Sequence, residues 1–241
     1  IILNKTEELQ RIIAGRDKLY SVIAHDLRSP MGSIKMVLNM LMLNLPVEKI
    51  GGEMYELLTM ANRTTEDVFS LLDNLLKWTK SQIGNLNVVY QDVDAVEVVD
   101  SVIDVFNMVA GLKKITIREE KPEKLPVCTD IDMLKTIIRN LLSNAIKFSN
   151  ENSEVLVKME EQGDTVVVSV KDSGCGIDEE GQKKLLHTDT HFSTFGTNNE
   201  EGSGLGLLLC QDFAVKSGGK LWFTSKKGEG STFYFSIPLK K

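Results

Sequence analysis

No run of apolar residues in this 241-residue chain approaches the roughly 20 needed to cross a bilayer. Cysteine is scarce. Cys128, Cys175 and Cys210 stand far apart, lack metal-ligand spacing, and leave an odd count that excludes a fully paired disulfide framework. A reducing, cytoplasmic setting fits that usage. There is no basic excess either: 28 Lys and Arg face 34 Asp and Glu, a net charge of -6, which argues against nucleic acid as a partner. A signal peptide is lacking, since polar and acidic residues follow Ile1 almost at once. The chain opens on Ile, inside a helical pattern, and reads as a piece of a longer parent. A parent anchored in the inner membrane stays compatible with that reading.

What is present is the apolar content of a globular protein, arranged in two different rhythms. In the first third, Leu9, Ile12, Leu19, Val22, Ile23, Leu27, Ile34, Val37, Leu38 and Leu41 recur mostly at steps of three and four. This is one stripe along a helix. Pro30 lacks an N–H and should kink or loosen a turn of it. Leu45-Pro46 and Gly51-Gly52 mark a turn, after which Met54, Leu57, Leu58, Ala61, Val68, Leu71, Leu72, Leu75 and Leu76 form a second stripe. A lone hairpin cannot cover both stripes, whereas two copies packed as a four-helix bundle can, so a homodimer is expected. Packing of the hairpin on the rest of its own chain is the alternative.

Gly84-Asn85 closes the second helix, and the boundaries read as 1–83 for the hairpin, 84–90 for a linker and 91–241 for a second domain. That domain is mixed α/β. Asp94 can cap a helix reaching about Ala110. Ile115–Arg118 is a short strand, and Asp130 opens an amphipathic helix through Ile146. Val155–Glu161 and Thr165–Lys171 flank Gln162-Gly163-Asp164 as a hairpin. Asp178 to Gly202 has little periodicity and is too long for an idle connection. A helix from Leu205 to about Ser217 ends at Gly218-Gly219, and Leu221–Thr224 and Thr232–Ile237 make a last hairpin.

Four short patterns carry chemistry. Ala24-His25-Asp26-Leu27-Arg28-Ser29-Pro30 lies on the first helix. A neutral imidazole at His25 is a good nucleophile, and the Asp26 carboxylate can fix its tautomer and take its proton. Alone, such a pair reads as an ordinary surface histidine beside a charge, and it is the remaining patterns that reverse this. In Asn140-Leu141-Leu142-Ser143-Asn144-Ala145-Ile146-Lys147-Phe148, the two asparagines share a helix face, and amide oxygens suit a magnesium ion that bridges phosphates. Lys147 can reach phosphate oxygens and Phe148 can cover a nucleobase. The same asparagines could instead solvate the back of a core helix. Asp172-Ser173-Gly174-Cys175-Gly176-Ile177 follows a strand. Its glycines allow close backbone approach, and Asp172 can accept from an exocyclic amine, which separates adenine from guanine. Gly202-Ser203-Gly204-Leu205-Gly206-Leu207 opens a helix, whose first amides and dipole favour phosphate. It is neither a Rossmann fingerprint nor a Walker motif, because a polar loop precedes it and no Gly-Lys-Ser/Thr follows.

In this order and spacing the patterns resemble the H, N, G1 and G2 boxes of sensor histidine kinases. The resemblance implies an all-α dimerisation and phosphotransfer hairpin, dimeric as a four-helix bundle, followed by an α/β two-layer sandwich with a mixed sheet that binds ATP. It implies His25 as phosphoacceptor with Asp26 as acid/base partner, and Asn140 and Asn144 serving Mg2+, with Asn144 the stronger ligand. It further implies Lys147 on phosphate, Asp172 on adenine, Gly174, Gly176, Gly202, Gly204 and Gly206 shaping the nucleotide lid, and Thr232 near the adenine. The implied reaction moves the γ-phosphoryl of ATP to His25 and then to an aspartate in the receiver domain of a response regulator. Three departures stand out. Ser29 occupies a position often Thr or Asn, where the side chain aligns water for dephosphorylating the regulator. Phe192 and Phe195 stand for the F box without its basic neighbours. His187 and His191 lie in the same stretch and read as solvated loop residues. An ATPase or clamp on the same nucleotide fold, and a scaffold that only binds a regulator, are the rival readings.

Overall fold

The computed structural model describes residues 23, 26–44, 51–82, 88–185, 196–197 and 205–239. The chain divides into two compact units, Ile1–Asn87 and Val88–Lys241.

Among its described residues the first unit holds two helices, α1 (26–44) and α2 (Gly52–Gln82). Helical structure runs through Pro30 without a break. Its ring costs α1 one backbone donor. The helices run antiparallel, as their cross-pairs show: Arg28 meets Asp73, and Lys35 meets Glu66 at 3.3 Å. Leu72 and Leu76 are buried, with Met31 and Leu75 packed on them. Among the described residues of this unit, much of the apolar pattern is exposed. Val37 is 52%, Leu57 60% and Met60 69% exposed. The expected turn at Leu45-Pro46 lies outside the described residues.

The second unit is an α/β sandwich with a mixed sheet. Its elements are β1 (Gln91–Asp94), α3 (Ala95–Leu112), β2 (Thr116–Glu120), β3 (Pro126–Thr129), α4 (Ile131–Phe148), β4 (Glu154–Gln162), β5 (Thr165–Lys171), α5 (Glu179–Lys184), α6 (Gly206–Lys216), β6 (Leu221–Lys226) and β7 (Gly230–Pro238). The main sheet has the order β2-β4-β5-β7-β6, with β2 and β4 parallel and the other pairs antiparallel. The small sheet pairs β1 with β3, antiparallel.

Local chemistry explains most of these elements. Asp94 caps α3 by accepting from Val96 N at 3.0 Å, and also holds Leu125 N at 3.0 Å. Asp130 caps α4 by accepting from Asp132 N and Met133 N, while its other oxygen takes Val89 N at 2.9 Å. Gly163 and Gly218 adopt positive φ at the β4–β5 turn and the end of α6. Helix α4 is the spine of the core. Met133, Leu134, Ile137, Ile138, Leu141, Leu142, Ala145 and Ile146 are all buried on it, and it packs on both α3 and α6.

Several boundaries differ from the sequence reading. Helix α3 runs two residues past Ala110, and β2 extends to Glu120. The last hairpin is longer at both strands, because Ser225 and Lys226 pair with Ser231 and Gly230. The stretch after Asp178 begins with a helix, α5. Asp178 caps it through Gly181 N at 2.9 Å.

Candidate nucleotide site

The C-terminal half of α4 supplies one wall. Its apolar face is committed to the core, so the residues between those positions emerge at the edge. Asn140, Asn144, Lys147 and Phe148 are all half-buried. The asparagines stand one turn apart on the same face. Asn140 donates through Nδ2 to Thr136 O at 2.9 Å. Its Oδ1 lies against Gly206, where an added Cβ would come within 2.6 Å. The N-box asparagine and the G2-box glycine are therefore in contact. Lys147 Nζ lies 4.9 Å from the centre of the Phe148 ring.

Helix α6 starts at Gly206, and Leu205 at its cap position makes no side-chain cap.

The loop after β5 forms the other wall. Asp172 is 4% exposed. Its Oδ1 accepts from Gly174 N at 2.9 Å and Ser231 N at 3.2 Å. Both bonds fall on one oxygen, so Oδ2 is the oxygen with lone pairs left for a ligand amine. Burial raises the carboxyl pKa above its ordinary value, and the Gly174 and Ser231 amides oppose that shift. Gly174 passes so close to Phe148 O that a side chain would collide with it, and Cys175 N donates to the same carbonyl at 3.4 Å. The loop is thus seated on the end of α4.

The β6–β7 turn clasps this loop from the far side. Gly228 N donates to Cys175 O at 2.7 Å, and Ile177 N to Ser225 Oγ at 2.8 Å. Ser225 Oγ also lies 2.9 Å from Ser231 Oγ, next to the amide that holds Asp172. Lys227 reaches Asp178, whose carboxyl is held below its ordinary value by the Gly181 amide first and Lys227 second. Thr232, half-buried, pairs with Lys171 at the β5–β7 edge.

The fold therefore gathers Asn140, Asn144, Lys147, Phe148, Asp172, Gly174, Gly176, Leu205, Gly206 and Thr232 onto α4, the β5 loop, the start of α6 and the start of β7. His25, Gly202, Gly204, His187, His191, Phe192 and Phe195 lie outside the described residues. Asp26 and Ser29 are exposed on α1. Sequence reasoning missed Ser225 and Ser231, and also Lys113 and Thr197. Ser231 acts through its backbone, so no side-chain pattern could have signalled it.

The donor set fits a nucleotide carried with magnesium. A buried carboxylate with one oxygen fixed by backbone suits an amine-bearing base. Among the described residues, no three His, Cys, Asp or Glu side chains gather as a metal cage. A magnesium ion here would need an amide oxygen from the asparagine face of α4, and draw its other ligands from phosphates and water.

Comparison with known proteins matches this architecture. The family of histidine kinase-, DNA gyrase B- and HSP90-like ATPases matches residues 129–241, from the end of β3 through β7. The catalytic domain of histidine kinase ThkA superposes with a TM-score of 0.55 at 30% identity, over 63% of this chain and 96% of that domain. This chain belongs to the histidine kinase family. Its second unit is a histidine kinase catalytic domain. The adaptive-response sensory kinase SasA of Crocosphaera subtropica is 29% identical, over 97% of the present chain and 62% of that protein. The sensor protein KdpD of Clostridium acetobutylicum is 33% identical, over 98% of the chain and 27% of its own length. The chain thus spans about three-fifths, and in the second case about a quarter, of these relatives. No helix among the described residues is long and apolar enough to cross a membrane.

Proposed function

We propose that this histidine kinase transfers the γ-phosphoryl group of Mg-ATP to His25 and then to an aspartate on the receiver domain of a response regulator. The observation that supports the reading is the set of contacts that brings the buried Asp172 carboxylate and the start of α6 onto the C-terminal half of α4. In the reaction, the bond from the γ-phosphorus to the ADP oxygen breaks as one forms to a ring nitrogen of His25. The ring proton passes to Asp26, the adjacent carboxylate. Asn144 would hold the magnesium that compensates phosphate charge, Asn140 supports the start of α6, and Lys147 would contact phosphate oxygens. The protein's contribution is positioning and charge compensation. Gly202 and Gly204 complete the phosphate turn before α6, and Thr232 supports the adenine edge.

Two copies of the hairpin would form a four-helix bundle that covers the apolar residues α1 and α2 leave exposed. Light scattering on the purified chain should give twice the chain mass. Ser29, four positions after His25 in the sequence, is exposed, and a slower phosphatase action toward the regulator, with its hydroxyl orienting a water, is part of the proposal.

Incubation with γ-labelled ATP and magnesium tests the central claim. Acid-labile, base-stable label on the chain is expected. His25→Ala should abolish it while ATP binding stays within about twofold, because no residue of the nucleotide site is altered. Acid-labile label entering the His25→Ala variant would refute the assignment. Release of free phosphate without protein label would favour the ATPase reading.

A further inference from the structure

The last turn of a helix carries carbonyls with no partner inside the helix, and exposed helices leave them to water. At the end of α4 they are bonded instead by three separate segments. Lys113 is the centre of this arrangement. It sits at the C-cap of α3, and only 7% of it is exposed. Its ammonium has three N–H donors, and its acceptors include Ile146 O at 3.0 Å, Lys147 O at 2.9 Å and Thr197 Oγ1 at 2.5 Å. Thr197 in turn donates N–H to Lys147 O at 3.1 Å and O–H to Ser149 O at 2.7 Å. Cys175 N takes Phe148 O, and Ser149 N closes on Ala145 O.

A buried ammonium is costly unless its hydrogen bonds are made. This one makes them to the negative end of a helix dipole, where a cation is favoured. We propose that Lys113 is a positioning residue for the phosphate end of the nucleotide site, acting through Thr197 and the terminal carbonyls of α4. The proposal rests on the ATP reading above. Lys147 belongs to the turn whose carbonyls Lys113 and Thr197 hold. The orientation of its side chain therefore depends on that clamp. Asp172 at the adenine end is fixed by other bonds, to Gly174 N and Ser231 N. The two ends of the nucleotide should respond differently when the clamp is cut.

Calorimetric binding of Mg-ADP and of adenosine to the full chain separates them. Lys113→Met is expected to weaken ADP by about tenfold or more, as for loss of charge-assisted bonds, and adenosine by less than about threefold. Thr197→Val should shift the same ratio in the same direction, and Thr197→Ser, which keeps the hydroxyl, should restore it. Equal losses for ADP and adenosine would mean a merely structural role and would overturn the proposal. So would Thr197→Val and Thr197→Ser behaving alike, a comparison that decides the matter alone if Lys113→Met does not fold. A wild-type chain that binds neither ligand would refute the nucleotide reading itself, and this proposal with it.

Discussion

Replacing Asp172 by asparagine tests the adenine end of the site with the least change of shape. In the native protein Oδ1 accepts from two backbone amides, Gly174 N and Ser231 N. An asparagine must keep its carbonyl oxygen there, since turning the amide would set N–H against N–H. The NH2 group is then forced into the place of Oδ2, facing the amine that the carboxylate received. The variant loses one hydrogen bond to a charged group, about 1.5–3 kcal/mol, which is roughly a 10- to 150-fold loss of ATP affinity. Preference for ATP over GTP should shrink, because an NH2 group suits a ring carbonyl. Calorimetry with both nucleotides reads both effects.

Stability should move the other way. The folded-state pKa of Asp172 is raised by burial. A raised carboxyl contributes stability that is present below its ordinary value and lost as pH rises through the folded value. At neutral pH the charged form is therefore a cost, and Asp172→Asn should melt no lower than wild type. A variant that binds ATP as tightly as wild type, with an unchanged ATP-to-GTP ratio, would refute the assignment. A variant that loses binding only because it unfolds would refute the reasoning about the buried charge.

Other predictions concern the same walls. Gly230 has φ +94 and packs on Asp172 O, so Gly230→Ala should destabilise the domain by about 1–3 kcal/mol from backbone strain alone, seen as a lower urea midpoint. Asn144→Ala should raise the magnesium needed for half-maximal labelling by on the order of tenfold or more, since even outer-shell partners of a metal cost that much. Magnesium-free ADP binding should not change. Cys128 and Cys175 are exposed, whereas Cys210 is buried and its thiol is pushed far up by burial. A thiol reagent should count two groups in the native chain and three in denaturant, with nucleotide protecting Cys175.

Features encoded by neighbouring residues are legible in the sequence by itself. The caps at Asp94 and Asp130, the β4–β5 turn at Gly163 and the end of α6 at Gly218 each depend on a few adjacent residues. The short helix α5 has local signals too: Asp178 precedes Glu179 and Glu180 in its first turn, with Lys183 and Lys184 in its last. It escapes a reading by periodicity because six residues are too few for a period to show. Strands β1 and β3 carry no such signals. They are four residues each, β3 begins with a proline, and they form only by pairing across more than 30 positions.

The candidate site divides along the same line. The sequence alone determined which residue types are available to ATP and in what order, because boxes of adjacent residues on one helix or loop need no knowledge of the rest of the chain. It marked Asp172, Asn144 and Gly206 in this way. Only the tertiary structure decided that Asn140 braces Gly206, that one oxygen of Asp172 is already taken, and that Lys113 rather than Lys114 lies beneath the end of α4. Each of these is a contact between segments distant in sequence. The physical reason is that burial and hydrogen-bond direction belong to the packed arrangement and leave no local pattern in the residues that make it.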